Sequence, residues 1–134
     1  MTIRTADMTD LPVLVCHDRH ISKTELENLI CLGRVTVLEV EGQFAGWLRW
    51  NLFWDNTPFL NMLYLLEPYR GKGYGRELMK HWETNLRNLG FDRCLTSTAS
   101  DEYAQHFYRK LGYTALGGFT PFGDPYELIF GKML

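Results

Sequence analysis

One change of pattern, between residues 59 and 90, constrains this chain more than any other. Residues 59–66 read FLNMLYLL, apolar almost throughout, which predicts a central strand covered on both faces. Arg70-Gly71-Lys72-Gly73-Tyr74-Gly75-Arg76 follows, with three glycines alternating over five positions. Leu78, Met79, Trp82, Leu86 and Leu89 then recur at helical spacing, and Gly90 closes the helix. Glycine lets a backbone turn unusually and approach a ligand closely. The first N–H groups of the helix point outward with the positive end of its dipole behind them. Arg70, Lys72 and Arg76 add positive charge, so the segment reads as a cradle for a phosphate or pyrophosphate. A Walker loop would end in Gly-Lys-Ser/Thr, which is absent. A dinucleotide fingerprint would need glycine at 76, where Arg76 sits, and an early place in a βαβ unit.

The remainder alternates strands, helices and turns. Residues 3–6 read as a short strand, and Thr9 or Asp10 as the cap of a short helix with Pro12 in its first turn. Ser22 and Glu25 stand at capping-box spacing before Leu26, Leu29 and Ile30, and Gly33 ends that helix. Residues 35–40 and 43–54 form a hairpin around Glu41-Gly42. Alternation assigns Leu48, Trp50, Leu52 and Trp54 to a core face, and Trp47, Arg49, Asn51 and Phe53 to a mixed face beside a cleft. Strands over 92–98, 113–119 and 126–133 and a helix from Asp101 to Leu111 complete the chain. Helices join some strands and hairpins join others, which predicts a mixed α/β (α+β) sheet.

At 134 residues the chain is the size of one domain, 1–134. Fourteen Lys and Arg against 16 Asp and Glu leave a net charge of −2, which argues against a broad nucleic-acid surface. No run approaches the roughly 18 apolar residues of a membrane span. The N-terminus lacks the apolar core of a signal peptide. Cys16, Cys31 and Cys94 are odd in number and far apart, unlike a disulfide framework or zinc site, so a reducing cytoplasm is the expected compartment. His17, His20, His81 and His106 show no metal spacing, and no metal is expected.

Two blocks together carry a resemblance. Arg70, Gly73 and Gly75 fill the form Arg/Gln-x-x-Gly-x-Gly/Ala, and Ala104 to Tyr113 reads AQHFYRKLGY, an aromatic-Tyr pair before Lys-Leu-Gly-aromatic. In this order, one helix and one strand apart, they resemble the GNAT superfamily of N-acetyltransferases. The likeness covers residues 35–134 well and the first 34 in outline. It implies a mostly antiparallel twisted sheet, flanked by helices, whose central parallel pair, here 59–66 and 92–98, splays apart to admit acetyl-CoA.

The resemblance also implies roles. Backbone groups at Leu65 and Leu66 would bond the pantetheine amides. The N–H groups of Gly71, Lys72, Gly73, Tyr74, Gly75 and Arg76 would hold the pyrophosphate, with Arg70 beside it. Tyr108 falls where many members place a phenol near the CoA sulfur, able to protonate the departing thiolate. Asp101 stands where the family often has a cofactor-contacting Asn, and also reads as a helix cap. Members that use a carboxylate base carry it on the strand before the loop. Here that strand carries Asn61, and Glu67 at the loop entrance is the nearest acid. Asn51, Trp54, Asp55 and Asn61 are the substrate candidates, beside a wall of Phe53, Phe119, Phe122, Tyr126 and Asp124.

The implied reaction is transfer of acetyl from acetyl-CoA to a primary amine of a small molecule or amino acid derivative, by direct attack in a ternary complex. A non-catalytic CoA-binding module, acetylation of a protein N-terminus or lysine, and a generic nucleotide site stay open, as does a homodimer.

Overall fold

The structure is a computed structural model that describes residues 1–134. Thr2–Thr5 forms β1, and a 3₁₀ turn at Met8–Asp10 runs into helix α1, Leu11–His17. Asp10 stands at the N-cap position of α1 but makes no side-chain cap bond there; the capping side chain is Asp7, at the start of the 3₁₀ turn. Its carboxylate accepts from Thr9 N at 2.9 Å, and its own N–H donates to Asp10 Oδ2 at 2.9 Å. Asp10 is engaged instead by Arg4, whose two terminal nitrogens each donate to it at 2.8 Å while Nε reaches Glu39 at 2.6 Å. Helix α2, Lys23–Cys31, starts where the sequence places it, with Ser22 Oγ accepting from Glu25 N at 3.2 Å.

Val35–Val40 (β2) and Gln43–Phe53 (β3) turn at Glu41 and Gly42, with φ of 52° and 76°. Two successive left-handed residues match the twist of a tight hairpin. The turn from β3 into β4, Thr57–Leu65, uses Trp54 and Asp55 at φ 55° and 61°. Next come a 3₁₀ turn at Glu67–Tyr69, helix α3 (Tyr74–Asn88), β5 (Arg93–Ala99), helix α4 (Ala104–Lys110), β6 (Thr114–Phe119) and β7 (Glu127–Met133).

The seven strands form one mixed, mostly antiparallel sheet in the order β1-β2-β3-β4-β5-β7-β6. Its parallel pair is β4 with β5, in register at Phe59–Leu95 and Leu60–Thr96. The other face of β5 pairs antiparallel with β7 along its whole length, from Arg93–Met133 to Ala99–Glu127.

The chain divides into two compact units. The first comprises residues 1–51 and 62–78. Its core gathers Leu11 and Leu14 of α1, Leu26, Leu29 and Ile30 of α2, and Val35, Val37 and Trp47 of the strands beneath. Each such side chain withdrawn from water contributes about 1.5–3 kcal/mol before the entropy of ordering it. The second unit comprises residues 52–61 and 79–134. Within it Leu60, Met79, Trp82, Leu86, Cys94, Tyr113 and Phe130 are buried.

Three burial expectations change. Strand β4 is central but mostly half-buried, with only Pro58 and Leu60 fully buried. Both faces of β3 are buried from Ala45 to Trp50, so Trp47 and Arg49 join the interior, whereas Trp54 leaves the strand and is 78% exposed. Leu89 continues the α3 spacing past the helix end and is exposed. Helix α4 also starts later than Asp101, at Ala104, and has no side-chain cap.

Candidate functional site

The glycine loop is built by a short 3₁₀ turn that lifts the chain off the end of β4. Tyr69 N donates to Leu66 O at 2.9 Å and Arg70 N to Glu67 O at 3.2 Å. Gly71 and Gly73 then adopt φ of 73° and 88°, a region other residues enter at a cost. A side chain at either would meet nothing within 4 Å, so backbone conformation rather than crowding requires glycine there. Helix α3 starts at Tyr74, and Glu77 N closes its first turn on Gly73 O at 3.2 Å. The N–H groups of the first turn lack intrahelical acceptors by the geometry of any helix start, and an anion placed before them would meet the positive end of the helix dipole. Arg70, Lys72 and Arg76 are exposed around them. These residues fit a pyrophosphate.

Arg70 itself folds back on β4. Its Nε donates to Leu65 O at 2.9 Å and its guanidinium lies 5.0 Å over the Tyr64 ring. The backbone groups beside it are more engaged than the sequence implied. Leu66 N donates to Ala45 O at 2.9 Å, and Leu66 O accepts from Tyr69 N. Each carbonyl oxygen retains a second lone pair for an amide donor. Glu67 is the exposed first residue of the 3₁₀ turn.

Tyr108 and Asp101 lie in the second unit. Tyr108 is 7% exposed, with its ring edge-on to Tyr113 at 5.8 Å and tilted on Phe130 at 6.4 Å. Burial pushes its pKa up to about 12, which keeps it a neutral proton donor at physiological pH. Nearby on β5, the Thr96 hydroxyl acts to lower the Tyr108 pKa and donates to Leu60 O at 3.2 Å, where β4 and β5 run parallel. Cys94 is fully buried, and burial raises its thiol to about 11, so it is not a nucleophile. Its Sγ lies 3.3 Å from the Tyr113 hydroxyl, which donates to Glu83 at 2.8 Å, and Lys132 completes that knot at 2.8 Å.

Asp101 lines an open cleft of about 540 Å³ with Glu102, Asp124 and Glu127, between Pro121 and Pro125. None of the four carboxylates is in an ion pair with a basic residue of the chain. Such a wall suits a cation better than the phosphates of a cofactor. The sequence marked Asp101 and Asp124 but did not group them with Glu102 and Glu127, since β5, the turn before α4 and the β6–β7 connection meet only in the fold.

The remaining candidates are dispersed. Asn51 is exposed and accepts from Arg34 at 2.7 Å. Asn61 is exposed on β4. Trp54 and Asp55 form the turn before β4, whereas the glycine loop follows its other end. Phe119, Phe122 and Tyr126 are exposed.

Sequence reasoning missed Asp18. It is 3% exposed and accepts from Trp47 Nε1 at 3.0 Å and from Arg49 Nε at 2.6 Å, tying the end of α1 to β3. Burial raises its pKa, but the Arg49 hydrogen bond and charge, aided by His20 N and Trp47, bring it below the usual value. Its neighbour His17 stacks on Phe44 at 5.2 Å. No helix is long and apolar enough to cross a membrane, and no group of acidic, His or Cys side chains is arranged to hold a metal.

A family model described as the acetyltransferase (GNAT) family matches residues 4–113. No curated protein sequence matches the chain. Among solved structures, the ribosomal-protein-S18-alanine N-acetyltransferase of Escherichia coli superposes with a TM-score of 0.79 at 19% identity, over 98% of this chain and 92% of that one. The ribosomal-protein-alanine N-acetyltransferase of Brucella melitensis gives 0.82 at 23% identity over 100% of both chains. The PaiA N-acetyltransferase of Thermoplasma acidophilum, in complex with coenzyme A, gives 0.81 at 18% identity, over 99% and 98%.

Proposed function

The chain belongs to the acetyltransferase (GNAT) family, and from that premise we propose that it transfers an acetyl group from acetyl-CoA to a primary amine. The observation that carries this is the loop: two left-handed glycines and the start of a 15-residue helix, in a segment that also carries the exposed basic residues Lys72 and Arg76. When bound, acetyl-CoA supplies an activated thioester carbonyl and a thiolate leaving group. The amides of Gly71 to Arg76 hold its pyrophosphate through fixed dipoles, which lose little entropy on binding. Arg70 sits at the loop entrance, and the Leu65 and Leu66 backbone receives the pantetheine amides. Tyr108 protonates the departing sulfur, and Glu67 takes the proton that the acceptor amine must lose, directly or through water. The amine attacks directly in a ternary complex, and the buried, protonated thiol of Cys94 is no acyl carrier.

A small amine or amino acid derivative is the leading acceptor. The four carboxylates beside Pro121 and Pro125 would gather it as a cation. A protein N-terminus is the second reading, favoured by the likeness to two ribosomal-protein-alanine acetyltransferases. The test is a thiol-release assay with acetyl-CoA, run against a panel of small amines and against peptides with a free N-terminus. Turnover with small amines supports the first reading and turnover only with peptides supports the second. Silence on both, with CoA raising the melting temperature, makes the protein a CoA-binding module. Absence of any CoA-induced shift overturns the proposal.

A further inference from the structure

A glycine inside a strand costs stability unless another backbone passes close by. Gly46 sits in the middle of β3, and it is not among the residues with positive φ, so crowding is what calls for glycine. A Cβ built on it would lie 2.5 Å from the Tyr64 carbonyl oxygen, 2.9 Å from Leu65 Cδ2 and 3.3 Å from Leu65 Cα. The nearest of these is backbone and cannot swing aside as a side-chain tip can. One residue away, Ala45 O accepts from Leu66 N at 2.9 Å, and on the far side Arg70 Nε holds Leu65 O at 2.9 Å. The peptides from Tyr64 to Leu66 are thus gripped by β3, and the contact at Gly46 sets how closely.

We propose that Gly46 is a positioning residue for the cofactor: it lets β3 press against the Tyr64–Leu65 peptide and so fixes the backbone that receives the pantetheine arm. This rests on the reading of the chain as a CoA-dependent acetyltransferase. A side chain at 46 would turn or push that peptide first, since its three nearest atoms all belong to Tyr64 and Leu65, while the glycine loop lies beyond the 3₁₀ turn at Glu67–Tyr69. The effect should therefore fall on the pantetheine arm and spare the pyrophosphate.

The experiment is calorimetric titration of the wild type and Gly46→Ala with CoA and with adenosine 3′-phosphate 5′-diphosphate, the part of CoA that lacks pantetheine. The expected result is a CoA Kd raised about tenfold or more in Gly46→Ala, with the nucleotide Kd unchanged within about twofold. Equal loss for both ligands indicates a general structural defect and overturns the proposal, as does an unchanged CoA Kd. A wild type that binds neither ligand overturns the acetyltransferase reading itself, and the proposal with it. Amide exchange on the wild type decides the matter should Gly46→Ala not fold. Protection of residues 64–66 by CoA, but not by the nucleotide, is expected, and no protection by CoA overturns the role.

Discussion

At the scale of single residues, Tyr108 and Asp18 do different work although both are buried. Burial raises the pKa of Tyr108 to about 12, so it stays protonated across the working range of an enzyme. Tyr108→Phe removes the donor while keeping the ring among Tyr113 and Phe130. The expected outcome is a fall in kcat of about 100-fold with CoA affinity unchanged, read from steady-state kinetics and calorimetry. A basic limb in the pH–rate profile well below pH 12 belongs to another group. Asp18 carries charge into a dry site, where its stabilising role depends on Arg49 staying with it. Asp18→Ala leaves that guanidinium buried and unpaired, and should cost about 3–5 kcal/mol in urea denaturation. The motif around Tyr108 was legible in the sequence because Phe107, Tyr108 and the Lys110-Leu111-Gly112 stop are neighbours in the chain. Nothing around Asp18 was, because its partners Trp47 and Arg49 stand 29 and 31 residues away.

At the scale of elements, the glycine loop and its helix are the part that the sequence specified best. Strand, turn and helix start follow one another in the chain, and each carries its own local signal. Gly73→Glu should abolish CoA binding, since it puts a carboxylate where the proposed function places the pyrophosphate and forces φ of 88° on a residue with a Cβ. The check is the loss of CoA-induced thermal stabilisation, which for the wild type is about 2.7 kcal/mol at a hundred times Kd. Strand faces were read less well. Alternation placed Trp47 and Arg49 of β3 on a mixed face, yet both are buried, because α1, α2 and the Asp18 bond cover that side. Trp54 followed the pattern of the core face but falls in the turn, where the alternation of a strand no longer applies.

For the molecule as a whole, acid should be the more damaging extreme of pH. Asp10, held by Arg4, and Asp18, held by Arg49, both titrate below their unfolded value of 3.8 in the fold. The unfolded chain therefore binds these protons at higher pH than the folded one. The stabilisation is complete above about pH 4 and is lost as pH falls through the lower folded values. Urea midpoints measured from neutral pH to about pH 2 should drop below pH 4, and Asp18→Asn should shallow that drop while lowering stability at neutral pH. Sequence alone determined the glycine turn between strand and helix, the helix cap at Ser22, the hairpin at Glu41-Gly42 and the mixed class of the sheet, because each rests on residues close together in the chain. Tertiary structure alone decided which carboxylates share a cleft, which charge is buried with which, and why Gly46 is a glycine. Those outcomes depend on segments that the chain separates by 18 residues or more and that only packing brings together.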